Sequence, residues 1–194
     1  MKYSIIPKRD LVYPVNVAPR VDGDKGTKEM LPIVEPTGTV VARASRAWCH
    51  QGSKLLHPVV HLHIIDRFGR IYLQRRSARK FLLPLYWDAA VGGHVNYGEY
   101  LREALFREAA EELGFYDFNP LQIHTYVWES GTERELVNVF AAVGNFVLHP
   151  DDDEVAEGRW WEIRDLEAAF GKNNITPNFE YEFPLVKKSL LALL

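Results

Sequence analysis

The stretch from Gly93 to Phe115, GHVNYGEYLREALFREAAEELGF, constrains this chain more than any other, because it sets Glu99, Glu103, Glu108, Glu111 and Glu112 along one helical segment. Gly98 and the acidic Glu99 suit the positive end of a helix dipole, and Gly114 follows Leu113 where a helix would stop. At about 100° per residue, Leu101, Ala104 and Leu105 share a face, and Phe106, Ala109, Ala110 and Leu113 make a second apolar stripe. A helix apolar on two sides is predicted to be sandwiched. Glu108 and Glu112 lie one turn apart and continue the first stripe, with Glu111 beside them. Carboxylates this close repel unless a cation holds them, and hard oxygen donors suit Mg²⁺ or Mn²⁺. A solvated acidic face is the plainer alternative, but the apolar positions and the preceding Gly92-Gly93 pair argue for a cation site.

The rest of the chain bounds the answer. Its 194 residues fit one domain, residues 31–194, preceded by an arm over residues 1–30. The arm holds Pro7, Pro14, Pro19 and the polar run from Val21 to Gly26, so it reads as irregular; packing on the domain and building a homodimer both stay open. A net charge of -3 without a long basic run gives no case for a nucleic-acid partner. Cys49 is the single cysteine, which rules out a disulfide framework and a zinc-finger pattern. MKYSIIPKRD lacks the apolar core of a signal peptide, and no apolar run approaches the ~20 residues of a membrane span. A cytoplasmic protein with no membrane partner is expected.

Along the chain, Ile33 to Glu35 and Thr39 to Ala42 read as a hairpin around Pro36-Thr37-Gly38, and Val59 to Ile65 with Ile71 to Gln74 as a second one. Trp87 to Val91 is a short strand leading into the Gly92-Gly93 turn. Leu121 to Glu129 and Leu136 to Val143 are two more strands, and Arg159 to Ile163 another, with Trp160 and Trp161 on opposite faces. Asp165 to Phe170 reads as a short helix, and Pro184, at a first-turn position, opens a last one to Leu194. This order describes an α/β protein with a mixed sheet between helices, an α/β/α sandwich. His61 and His63 alternate in a strand and share a face, which suits packed residues; His94 follows the glycine pair at the mouth of the acidic helix.

Gly93, Glu99, Arg107-Glu108, Glu111-Glu112, Gly114 and Phe115 also match the Nudix box at every fixed position, with Ala109 a small choice where a larger aliphatic is usual. The resemblance implies the Nudix fold and metal-dependent attack of water on a diphosphate linkage, with Glu108, Glu111 and Glu112 around the metals and Glu99 and Arg107 in support. A second likeness covers about Ile33 to Phe183. His50, His57, Arg75-Arg76-Ser77, Lys80, Pro84, Trp87 and Gly93-His94 resemble the type 1 isopentenyl-diphosphate isomerases, a branch of the same superfamily. That resemblance implies a further metal site at His50, His57, His94, Glu133 and Glu135, and sets Tyr126 near a tyrosine the isomerases use. The isomerases carry a cysteine where this chain has Gly92, and their Nudix helix is degraded where this one is intact. Both departures point to hydrolysis.

The expected chemistry follows. Mg²⁺ or Mn²⁺ held by Glu108, Glu111, Glu112 and a carbonyl of Gly92 or Gly93 would neutralise a diphosphate and acidify the attacking water, with Glu108 or Glu112 taking the proton. Arg75, Arg76 and Lys80 are candidate phosphate contacts, since guanidinium forks match phosphate oxygens. Trp87 and Tyr126 could stack on a base or cover a prenyl chain. The expected partner is a small diphosphate. Rival readings are an isomerase and a nucleotide-sensing Nudix domain without activity.

Overall fold

The computed structural model of the chain describes residues 18–194 apart from Thr27 and Phe81, so most of the expected arm lies outside the described residues. Its described part sits against the domain. Asp24 is buried and accepts hydrogen bonds from the Ser45 backbone and hydroxyl at 2.6 and 2.7 Å.

Strands β1 (Met30–Val34) and β2 (Val40–Ser45) form an antiparallel hairpin, and a single turn of helix, α1 (Arg46–Cys49), is capped by the Ser45 hydroxyl. The main sheet is built on β3 (Leu56–Ile65), every residue of which is buried. A strand covered on both faces must be apolar throughout or pair whatever polar groups it carries. Here three histidines interrupt the apolar run, and each of them bears on the site. Beside β3 run β4 (Ile71–Arg76), β5 (Trp87–Asp88) and β6 (Val91–His94), and later β7 (Leu121–Glu129), β8 (Arg134–Val143) and β9 (Val155–Trp161). The order is β5-β4-β3-β8-β7, with β6 also on β3 and β9 on β4; β3 and β8 are parallel and the other pairs antiparallel.

Helix α2 (Leu101–Leu113) covers one face. Leu101, Ala104, Leu105, Ala109 and Leu113 pack with Val60, Leu62 and Ile64 of β3. Glu103 accepts the Tyr100 N–H at 2.8 Å at the start, and Gly114 closes the helix in a left-handed conformation, φ 55°, that glycine adopts without strain. The helix is not sandwiched: Ala110 and Glu111 face solvent, because the stripe led by Phe106 wraps only part of the way round. On the other face, α3 (Ile163–Ala168) and α4 (Pro177–Leu191) pack Leu166, Phe179, Phe183, Val186 and Leu190 on Val59 and Ile65. Two helical layers thus enclose a mixed sheet, an α/β/α sandwich.

Some boundaries differ from the sequence reading. The last helix opens at Pro177 and carries Pro184 inside it, because Thr176-Pro177 already supplies a proline at the first turn. The segment from Trp87 divides into β5 and β6, and β9 ends at Trp161 so that Ile163 starts a helix. Trp160 and Trp161 do enter opposite cores.

Candidate active site

The backbone of β6 stands between two groups of titratable side chains. Its pairing sets Gly92 opposite His61, Gly93 opposite Val60 and His94 opposite Val59. Alternation turns Val91 and Gly93 towards α2, and Gly92 and His94 towards the face that α4 covers.

On the α2 side, Glu112 is buried and accepts from the Gln74 amide at 3.0 Å and the Gly92 N–H at 3.2 Å. Burial, and then the neighbouring Glu108 carboxylate, push its pKa up to about 8. Glu108 is raised too, chiefly by burial, although the Arg107 guanidinium opposes the shift. Arg107 is the hub of this group: it donates to Glu99 at 2.8 and 2.9 Å, to Glu108 at 2.7 Å, to Glu111 at 3.3 Å and to the His94 carbonyl at 2.9 Å. Glu99 in turn accepts the Asn96 N–H at 2.9 Å. Arg107 therefore ties the helix to the end of β6. Arg107→Ala is expected to lower folding stability by roughly 1–3 kcal/mol, the scale of charged hydrogen bonds lost from partly buried acceptors, as denaturant unfolding would measure.

Gly93 has a second reason to be glycine. A Cβ there would collide with the Glu108 side chain, so a larger residue fits only by pushing that carboxylate aside.

On the other side, His50 at the end of α1, His57 in β3 and His94 at the end of β6 converge. Among the described residues they are the one set of three His, Cys, Asp or Glu side chains whose ligand atoms all lie within 4.8 Å of one another. The glutamates of α2 are not drawn into such a cluster. His50 Nε2 and His94 Nε2 are 2.9 Å apart, His50 Nδ1 is 2.6 Å from Glu133, and His94 Nε2 is 3.9 Å from Glu135. Register places Glu135 beside His57 on the parallel strand β8. His57 Nδ1 lies 2.9 Å from the Leu55 carbonyl, so it carries the proton and leaves Nε2 with a free lone pair, buried and without a partner. Burial, reinforced by the charge of His50, brings the His57 pKa down to about 4, and burial lowers His94 strongly. Glu135 is pushed up to about 7 by burial and by Glu133. Neutral imidazoles with an orphaned nitrogen, beside two carboxylates, fit a divalent cation.

The other expected site residues are engaged. Arg75 Nε donates to the Leu85 carbonyl at 2.9 Å, and the Arg76 guanidinium donates to the Leu82 carbonyl at 3.2 and 3.1 Å. Leu83 and Leu85 both hold positive φ, 47° and 64°, which a leucine keeps only where its surroundings enforce it; the two arginines supply that enforcement. Lys80 pairs with Glu154. Trp87 is a core residue, its ring 5.3 Å edge-on to Trp161 under the Arg159 guanidinium. Cys49 is buried, and burial pushes its thiol up to about 12. Tyr126 donates its hydroxyl at 2.9 Å to Glu182, a residue the sequence reading did not single out because it lies 56 positions away in a helix of otherwise ordinary pattern.

A sheet with a glycine-glycine turn feeding an Arg-Glu…Glu-Glu helix, all within one α/β/α sandwich, defines the class: residues 55–179 match the NUDIX domain, and the chain belongs to the Nudix family. Within it, the chain falls in the branch that resembles isopentenyl-diphosphate isomerases. It is 30% identical over 156 residues to the isopentenyl-diphosphate Delta-isomerase of Mycolicibacterium vanbaalenii, covering 75% of this chain and 84% of that protein. It is 31% identical over 140 residues to the Escherichia coli Nudix hydrolase YfcD, covering 72% and 77%. The fold also matches the solved structure of DR0079 from Deinococcus radiodurans, with a TM-score of 0.67, 23% identity, and 76% and 92% of the two chains covered. Among the described residues, no helix is long and apolar enough to cross a membrane.

Proposed function

We propose that the chain is a divalent-metal-dependent Nudix hydrolase that opens a diphosphate linkage in a nucleoside-diphosphate-type or related small molecule, working in the cytoplasm with Mg²⁺ or Mn²⁺. One observation carries this reading: Glu112 is buried beside Glu108 with its pKa raised to about 8, a carboxylate placed where its ionised form calls for a cation. Such an ion would supply charge neutralisation at the diphosphate and a more acidic attacking water. The protein's own part is to hold Glu108, Glu111 and Glu112 by Arg107 and the β6 backbone, and to accept the water's proton at Glu108 or Glu112.

A second reading is favoured by the histidine–glutamate group and by relatives named isomerases. It lacks the thiol, since Gly92 stands at that position and the single cysteine, Cys49, is buried among Leu31, Ile33 and Ala44.

The proposal is tested by incubating the protein with a panel of diphosphate compounds, with Mg²⁺ and Mn²⁺, and identifying the products: two phosphomonoesters from an internal linkage, or phosphate from a terminal one. Gly93→Ala gives a sharper check. The new methyl must displace Glu108, and turnover is expected to fall about 10²-fold, the scale of an ångström's misplacement, while the protein still melts cooperatively. Turnover at the wild-type rate would remove Glu108 from the mechanism.

A further inference from the structure

Strand β4 carries a buried amide beside the glutamates of α2. Tyr72 belongs to the core on the α2 side and Leu73 to the opposite one, so alternation turns Gln74 towards α2. Its backbone is fixed on both edges, opposite Asp88 of β5 and Gly158 of β9, and the residue is only 5% exposed. Gln74 Nε2 donates to Glu112 Oε2 at 3.0 Å, and the Gly92 N–H donates to the same oxygen at 3.2 Å. The direction of the amide follows, because the reversed one would set its oxygen against the Glu112 carboxylate.

The other half of that amide is not satisfied. Gln74 Oε1 is buried and has no hydrogen-bond partner among the described residues. Leaving such an acceptor unmet costs about as much as the Nε2 bond to the carboxylate gains. A glutamine kept only to hold Glu112 would therefore bring almost nothing over an apolar residue of its length. The balance turns favourable once a donor reaches Oε1. Glu108 and Glu112, ionised around a cation, only accept hydrogen bonds, so that donor has to arrive with the ion. Water on a divalent cation has the right chemistry: Mg²⁺ keeps several of its waters, and the groups around a bound ion are themselves held in place by hydrogen bonds.

We propose that Gln74 is a further positioning residue of the cation site: its Nε2–H fixes Glu112 by one carboxylate oxygen, leaving the other for the ion, and its Oε1 accepts a hydrogen from a water bound to that ion. The assignment rests on the hydrolase reading, which places the cation at Glu108, Glu111 and Glu112. A role confined to packing β4 against α2 would account for the bond to Glu112, but it gives no reason for a buried oxygen beside it.

Mn²⁺ alone is the probe, titrated into the full chain with the free ion counted by electron paramagnetic resonance. The class of Mn²⁺ sites that Glu112→Gln weakens marks the glutamate site and separates it from an ion at the histidines. Gln74→Met keeps the volume and removes both ends of the amide. It is expected to weaken that class about 10- to 100-fold, the scale for losing a group that orients a metal ligand. The metal-free variant should melt no lower than the unsubstituted protein, because the unmet oxygen leaves with the amide. A purely structural glutamine predicts the reverse, a lower melting temperature with Mn²⁺ affinity intact. Unchanged affinity in folded Gln74→Met, beside a loss in Glu112→Gln, would overturn the role of Gln74 and leave the hydrolase reading standing. If no class of Mn²⁺ sites responds to Glu112→Gln, the hydrolase reading falls and the role of Gln74 with it. Should the variant not fold, a crystal structure of the unsubstituted protein with Mn²⁺ decides. An ion-bound water about 2.5–3.0 Å from Gln74 Oε1 supports the assignment, and an Oε1 that meets no water, or binds the ion itself, overturns it.

Discussion

Glu112→Gln is expected to lower diphosphate turnover by about 10²–10⁴-fold, the usual scale for removing a general base, without lowering the melting temperature. The glutamine keeps an oxygen for the Gly92 N–H and the Gln74 amide, so the packing around it survives. The sign of the stability effect follows from the raised pKa. A carboxyl whose folded value is about 8, against an ordinary 4.5, favours the fold while protonated and withdraws that support as pH climbs from about 4.5 through 8. Metal-free protein should therefore lose stability over that window, by on the order of a few kcal/mol. Mg²⁺ or Mn²⁺ should restore it at pH 8, and Glu112→Gln should flatten the dependence. Melting curves at both ends of the window, with and without metal, measure all three.

Glu182→Gln carries the largest expected loss of stability, about 3–5 kcal/mol, because it takes the counter-ion from a buried His61, which must then give up its proton and the charged hydrogen bonds of the network. For a chain of this size that corresponds to a fall of roughly 6–20 °C in melting temperature. The pH dependence has two limbs. His61 is raised, so its contribution is full below about 6.5 and is lost as pH rises through about 9. Glu182 is depressed, so its contribution is full above about 4.5 and is lost only on acidification below that. The unsubstituted protein should lose this contribution between about pH 6.5 and 9, and that part of the decline should be missing in Glu182→Gln. Adding His61→Gln to Glu182→Gln should recover part of the loss, as a double-mutant cycle would show.

The parts of the fold visible in the sequence are those set by local pattern. The α2 stripe of Leu101, Ala104 and Leu105 with Gly114 behind it, the hairpin around Asp66 to Gly69, and the opposed Trp160 and Trp161 need only periodicity and turn chemistry. The convergence of His50, His57 and His94 was open to a family likeness and to no local rule, since three separate elements bring them together. What stayed hidden depends on contacts between distant residues. Arg75 and Arg76 read as phosphate contacts from their type alone, and the sequence did not show that each also spends part of its guanidinium on a loop carbonyl, Leu85 or Leu82. Trp87 reads as a surface for a base or a prenyl chain, and the structure encloses its ring between Trp161 and Arg159. Glu182 lies 121 residues from His61, so nothing in the neighbourhood of either announces the other. Alternation in β3 made His61 and His63 look like packing residues; the buried carboxylate opposite gives them a charge to answer.

The most direct measurement of the central claim is product identification with isopentenyl diphosphate and nucleoside diphosphate derivatives side by side, in Mg²⁺ or Mn²⁺, for the unsubstituted protein and Glu112→Gln. The predicted result is cleavage of a diphosphate linkage with a phosphate-containing product released by the unsubstituted protein and lost in the variant. Conversion of isopentenyl diphosphate to its allylic isomer with no phosphate released, or cleavage that persists in Glu112→Gln, would contradict it.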